Sequence, residues 1–163
     1  MEQETEEPDL FLMLDAEALE ADGSAFPGRE GAFYSLFSPT VTENSQDPQV
    51  HLLVWQQHWQ ELGVSFPEDG PSLITVVFHD QIDGDQLTVG HAGVLTEGPD
   101  GKLYFLEKVA FQEPYQLCRF ESRGELSDYL MTKYDVSYGQ PTASPLVLEN
   151  GEMLEGYRTV PRS

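Results

Sequence analysis

Leu87-Thr-Val-Gly-His-Ala-Gly-Val-Leu-Thr96, Glu97-Gly-Pro-Asp-Gly101 and Lys102-Leu-Tyr-Phe-Leu-Glu-Lys-Val-Ala110 follow one another through the middle of the chain. The outer two pieces alternate with a period of two, and the Gly/Pro/Asp cluster between them is turn chemistry, so the stretch predicts an antiparallel hairpin. Leu87, Val89, His91, Gly93 and Leu95 are expected on one face of its first strand, and Leu103, Phe105, Glu107 and Val109 on one face of its second. Each face is apolar except for one ionisable residue near its middle. A loop over 97–101 sets His91 directly opposite Glu107, and opposed residues on a shared face bring their Cβ atoms to about 5 Å. Burying either group alone is costly, whereas a carboxylate holding an imidazole satisfies both. The same bond fixes the tautomer and leaves the other ring nitrogen available as a base. Gly90 and Gly93 flank His91 with minimal side chains and leave room for approach. The alternative reading is a satisfied core pair with no reactant near it.

Outward from the hairpin the period-two signal continues. Leu73–His79 predicts a strand before the turn Asp83-Gly84-Asp85, and Tyr115–Phe120 predicts another after Pro114. Ser122-Arg-Gly-Glu125 is a capping box that opens a helix with Leu126, Tyr129 and Leu130 on its apolar face. Gly139, Pro141 and Pro145 mark a loop, and Leu146–Leu148 a final short strand. Upstream, Asp47-Pro48 supplies an N-cap and a first helical residue for a helix to about Leu62, with Leu52, Trp55, Trp59 and Leu62 on one side. The order predicts an α+β domain built on an antiparallel meander with packed helices. Residues 1–31 form an acidic N-terminal segment, and 32–163 carry the His/Glu strands. Within the first segment, Glu2–Asp9 is expected to be a solvated end, Leu10–Leu14 to dock on the domain, and Asp15–Ala21 to be a short helix.

The chain has 163 residues with a formal net charge of −21, one cysteine, and 39% hydrophobic residues. That length suits one domain with a real core. The charge argues against nucleic acid, whose phosphates need Lys and Arg, and against an anionic membrane surface. One cysteine rules out an internal disulfide framework and a Cys-rich metal site, and no cofactor motif is present. His51 and His58 are too far apart along a helix to share a metal and are expected at the surface, as is His79 at a strand end. Asp80, Asp83 and Asp85 could offer oxygen ligands to a hard cation but lack a complete calcium-loop spacing, so they read as a solvated turn. Cys118 on a strand reads as a small buried hydrophobe, and a reactive role would need a base or helix N-terminus beside it. The acidic start is unlike a secretory leader, which points to the cytoplasm if Met1 is the true start.

Val89-Gly-His-Ala-Gly-Val-Leu95 with Gly101-Lys-Leu-Tyr-Phe-Leu-Glu-Lys108 resembles the His strand and following strand of papain-like, NlpC-type cysteine hydrolases. The resemblance implies that fold, with His91 as catalytic base and Glu107 as its orienting residue. Leu73–Asp80, Glu107–Gln116, Glu125–Asp135, Gly139-Gln-Pro141 and Leu154-Glu-Gly-Tyr-Arg158 are similar to a bacterial domain-of-unknown-function family, 4300. Its members resemble secreted or lipid-anchored proteins with this hydrolase fold, which implies amide or ester cleavage, with cell-wall peptides as substrate class, outside the cytoplasm. The resemblance also implies a nucleophilic cysteine upstream of the His strand. This sequence has none there, so the chain is expected to match the C-terminal part of such a domain, incomplete at the N-terminus. Cys118 follows the His strand, an order that occurs in permuted relatives, but it lacks the nucleophile's motif. The alternative is a catalytically inactive binding module on the same scaffold. A missing helical layer would leave the face of His91 and Phe105 uncovered and prone to self-association.

Overall fold

The strands and helices that alternation, caps and turns predict form within two residues of their expected bounds, while the helix at 30–37 and the short strands at 40–41 and 152–153 were not expected. The computed structural model describes residues 9–14, 30–110 and 112–161. In chain order these hold β1 (Asp9–Leu14), α1 (Glu30–Phe37), β2 (Thr40–Val41), α2 (Pro48–Glu61), β3 (Ser72–Asp80), β4 (Gln86–Glu97), β5 (Leu103–Lys108), β6 (Tyr115–Phe120), α3 (Arg123–Tyr134), β7 (Leu146–Glu149) and β8 (Glu152–Met153). One sheet runs in the order β1-β6-β5-β4-β3-β7-β8, with β2 paired to the start of β4. Every pairing between these strands is antiparallel. The chain is thus α+β on an antiparallel sheet whose centre is the β3–β6 meander. Leu10–Leu14 docks as part of β1, on β6. The helix expected over Asp15–Ala21 lies outside the described residues.

A helix covers each face of the sheet. At the start of α2, Asp47 Oδ1 accepts the Gln49 N–H at 3.0 Å and Pro48 fills the first helical position. Trp55 and Trp59 turn inward and pack with Val77, Leu87, Leu146 and Leu148. On the opposite face, α3 buries Leu126, Leu130 and Met131 against Ile74, Val76, Leu95 and Phe105. The face of His91 and Phe105 is therefore covered, not open as expected: Phe105 is fully buried. The layer that seals it is α3, which follows the meander in sequence. Ser122 caps this helix by accepting the Glu125 N–H at 3.2 Å, while Glu125 accepts the Glu121 N–H at 2.6 Å. Ser122→Ala should lower stability by about 1 kcal/mol, read as a shift in the urea midpoint at constant slope.

β4 does not keep one face throughout. Val76 pairs with His91 but the next residue, Val77, pairs with Val89, so Gly90 is an extra residue in β4. The bulge turns Leu87 and Val89 toward α2, while His91, Gly93 and Leu95 face α3. The expected single face over Leu87–Leu95 is thus split in two. Glycine is required at the bulge, since a Cβ there would lie 1.6 Å from the Phe78 ring. β7 and β8 join through Asn150 and Gly151 at φ 48° and 82°, the left-handed pair of a tight hairpin. That Asn-Gly step was the available signal for β8, which extends the sheet beyond the expected last strand.

Candidate active site around His91 and Glu107

The turn between β4 and β5 decides what meets what. Gly98 N–H bonds the Lys102 carbonyl at 2.9 Å, Gly101 N–H bonds the Gly98 carbonyl at 3.0 Å, and Gly101 takes φ 75°. The loop therefore occupies 98–102, one residue later than expected, and the register moves with it. Glu107 stands opposite Gly93, not opposite His91. Gly93 has no side chain and the Phe105 ring packs against its backbone, while the Glu107 carboxylate reaches diagonally along the strand, so that His91 Nε2 lies 2.5 Å from Glu107 Oε2. The pair forms as expected, by a different route.

Glu107 is almost fully enclosed, at 1% exposure. Its other oxygen, Oε1, accepts Gln116 Nε2–H at 2.8 Å and the Tyr129 hydroxyl at 2.5 Å. Burial on its own would raise the carboxyl pKa, but the bonds from His91, Tyr129 and Gln116 outweigh it and hold the group below its ordinary range. An ionised Glu107 only accepts, so His91 Nε2 carries the proton. Nδ1 of His91 makes no hydrogen bond among the described residues. Nor is it one of their fully enclosed, unpartnered side-chain atoms, which are the Trp55 and Trp59 indole nitrogens, Thr75 Oγ1 and Ser127 Oγ. That nitrogen is the open end of the site.

α3 supplies the cover. Tyr134, its last residue, stacks on the His91 ring with centroids 4.9 Å apart, and Phe105 meets the same ring edge-on at 6.5 Å. Burial, and secondarily the Glu107 charge, push the Tyr134 phenol up to about 12. Burial and the bond to Glu107 raise Tyr129 further still. Both tyrosines are hydrogen-carrying walls at neutral pH. The Lys133 ammonium lies 5.7 Å from each of their ring centroids and makes no ion pair among the described residues. Lys102, Arg123 and Arg158, by contrast, each pair with a carboxylate.

A family model for a domain of unknown function, DUF4300, matches residues 1–154. The chain belongs to DUF4300. No curated protein and no solved structure matches it. In this DUF4300 chain Cys118 is fully buried on β6, opposite Phe105 and Leu10, within the core under α3. The structure does not present that thiol to solvent.

The histidines expected at the surface are placed differently. His51 is 1% exposed and His79 7%, and their rings lie 4.4 Å apart on the α2 side of the sheet. His58 is half-buried, with Nε2 3.1 Å from the Ser38 hydroxyl. His79 meets Ala143, 64 positions on, and His51 meets Thr42 and Ser45 in the stretch before its helix, contacts that local periodicity does not reveal. Asp85 is not a free turn residue: it accepts from His79 at 2.7 Å and from Gln81 at 2.9 Å. No group of three or more metal-ligating side chains that could hold an ion occurs among the described residues. The sequence reading missed Gln116 and Tyr134 entirely and took Tyr129 for core alone. The signal for Gln116 was its place opposite Glu107 once the β5–β6 register is set.

Proposed function

We propose that His91 and Glu107 are the proton-transfer unit of a papain-like hydrolase domain that cleaves amide or ester bonds, with cell-wall peptides as substrate class. The observation that carries the reading is the unpartnered Nδ1 of a histidine whose Nε2–H is fixed on an ionised carboxylate. Nδ1 would take the proton of an attacking nucleophile and later return it to the leaving amine or alkoxide. Glu107 would hold the ring's orientation and offset the transient imidazolium charge, and the stacked Tyr134 face would favour that cation further. Cys118 is sealed, so the proposal assigns these residues the proton transfer and leaves the nucleophile to a group other than this thiol. Lys133, beside the tyrosine cover, suits a substrate carrying a carboxylate, as peptides do. The resemblance supports an extracytoplasmic location, secreted or lipid-anchored.

A second reading is a binding module that has lost catalysis. It is favoured by the depth of the pair, since His91 is only 9% and Glu107 1% exposed beneath α3. Hydrolysis of fluorogenic peptide amides and of cell-wall peptide fragments separates the two. The first reading expects turnover that falls by about a hundredfold in His91→Ala while the fold is retained. Turnover unchanged by that substitution would remove the proton-transfer role. Binding of the same peptides with no turnover would favour the module.

A further inference from the structure

On the face of the sheet away from His91, two buried histidines have all four ring nitrogens matched to partners on separate segments. His79, in β3, accepts the Ala143 N–H on Nδ1 at 2.9 Å and donates Nε2–H to Asp85 Oδ1 at 2.7 Å. A backbone N–H can only donate, so Nδ1 of His79 carries no proton and the ring is neutral. His51, in α2, donates Nε2–H to the Ser45 carbonyl at 2.7 Å and takes the Thr42 hydroxyl on Nδ1 at 2.7 Å. The two rings lie with centroids 4.4 Å apart at 37°.

We propose that the His51–His79 pair is an acid-released latch that holds the loop between α3 and β7, residues 135–145, against the sheet. A proton added to His79 Nδ1 would set N–H against the Ala143 N–H and forfeit that bond. A proton added to His51 would place a cation against its ring neighbour in a site closed to water. The charged groups facing the pair are Asp85, between β3 and β4, and Asp47, at the start of α2. Burial pushes the His51 imidazole below its ordinary value of 6.5, and His79 adds to the drop. The Ser45 carbonyl, Asp85 and Asp47 work the other way without outweighing burial. Since the folded ring binds a proton less readily than the unfolded one, the latch is complete above about pH 6.5 and weakens as pH falls below it. Asp135 Oδ2 accepts the Ser144 hydroxyl at 2.8 Å, and Gln46 Nε2–H and the Tyr157 hydroxyl anchor the Pro141 and Pro145 carbonyls at 3.2 and 2.7 Å, so the stretch that acid frees is the one around Ala143, between those two anchors.

Amide hydrogen exchange of the full chain, followed by NMR, tests this. The protection factor of the Ala143 amide should fall about tenfold or more between pH 7 and pH 5, while that of Leu95 in β4 holds. Constant protection at Ala143, or a loss shared equally by Leu95, would overturn the latch. In His51→Gln, which removes the ring whose protonation burial opposes, the fall at Ala143 between pH 7 and pH 5 should shrink to about threefold or less. An unmoved profile in that variant would show that the rings do not act as a pair.

Discussion

Glu107→Ala should lower the unfolding free energy by about 3–5 kcal/mol. The carboxylate accepts from His91, Gln116 and Tyr129, and its removal leaves three donors facing an apolar space. Glu107→Gln keeps the volume but loses the charge, and His91 can face the new N–H only by moving its own proton to Nδ1, so a smaller loss of about 1–2 kcal/mol is expected. Denaturant titration at neutral pH checks both. The pH dependence gives a second check. Glu107 titrates below its ordinary value of 4.5 when folded, so its contribution is complete above about pH 4.5 and is withdrawn as the pH falls. The difference between wild type and Glu107→Ala should therefore narrow in acid. A Glu107→Ala variant as stable as wild type would show that the pair is not enclosed as described.

Gly93→Ala should cost about 3 kcal/mol, a large effect for one methyl group. A Cβ at this position would lie 2.4 Å from the Phe105 ring and 2.7 Å from the Leu106 carbonyl oxygen. Neither neighbour gives easily, because Phe105 is fully buried and the carbonyl belongs to the adjacent strand. Phe105 also meets the His91 ring edge-on, so a methyl that displaces it presses on the site. The substitution is therefore expected to disturb the site as well as the fold, seen as a changed 15N pattern for His91. A midpoint within about 0.5 kcal/mol of wild type would count against the packing described here.

Much of this was legible in the sequence, for reasons that differ between elements. The meander was visible because alternation and Gly/Pro/Asp turns are local signals, and α2 and α3 because their caps are written in Asp47-Pro48 and Ser122-Arg-Gly-Glu125. The His91–Glu107 contact was found by a register that is off by one position on each strand. It survives because both side chains are long enough to meet on the diagonal between neighbouring pairs. The bulge at Gly90 was not legible, since a glycine in a strand marks several different irregularities and only the Phe78 ring shows which one applies. The buried positions of His51 and His79 depend on Thr42, Ser45 and Ala143, which meet them only after the sheet has brought β2, β3 and the 135–145 loop together.

The two ends of the described chain lie at opposite borders of the sheet, and this has a consequence for how the molecule forms. The four meander strands meet their partners across short turns and can assemble early. β1, by contrast, waits for β6, about a hundred residues later, and β3 gains β7 only after α3 has crossed the sheet. A chain emerging N-terminus first therefore holds β1 without its sheet partner until β6 follows. Cys118, paired with Leu10 in the finished sheet, gains that backbone partner only when the border strand docks.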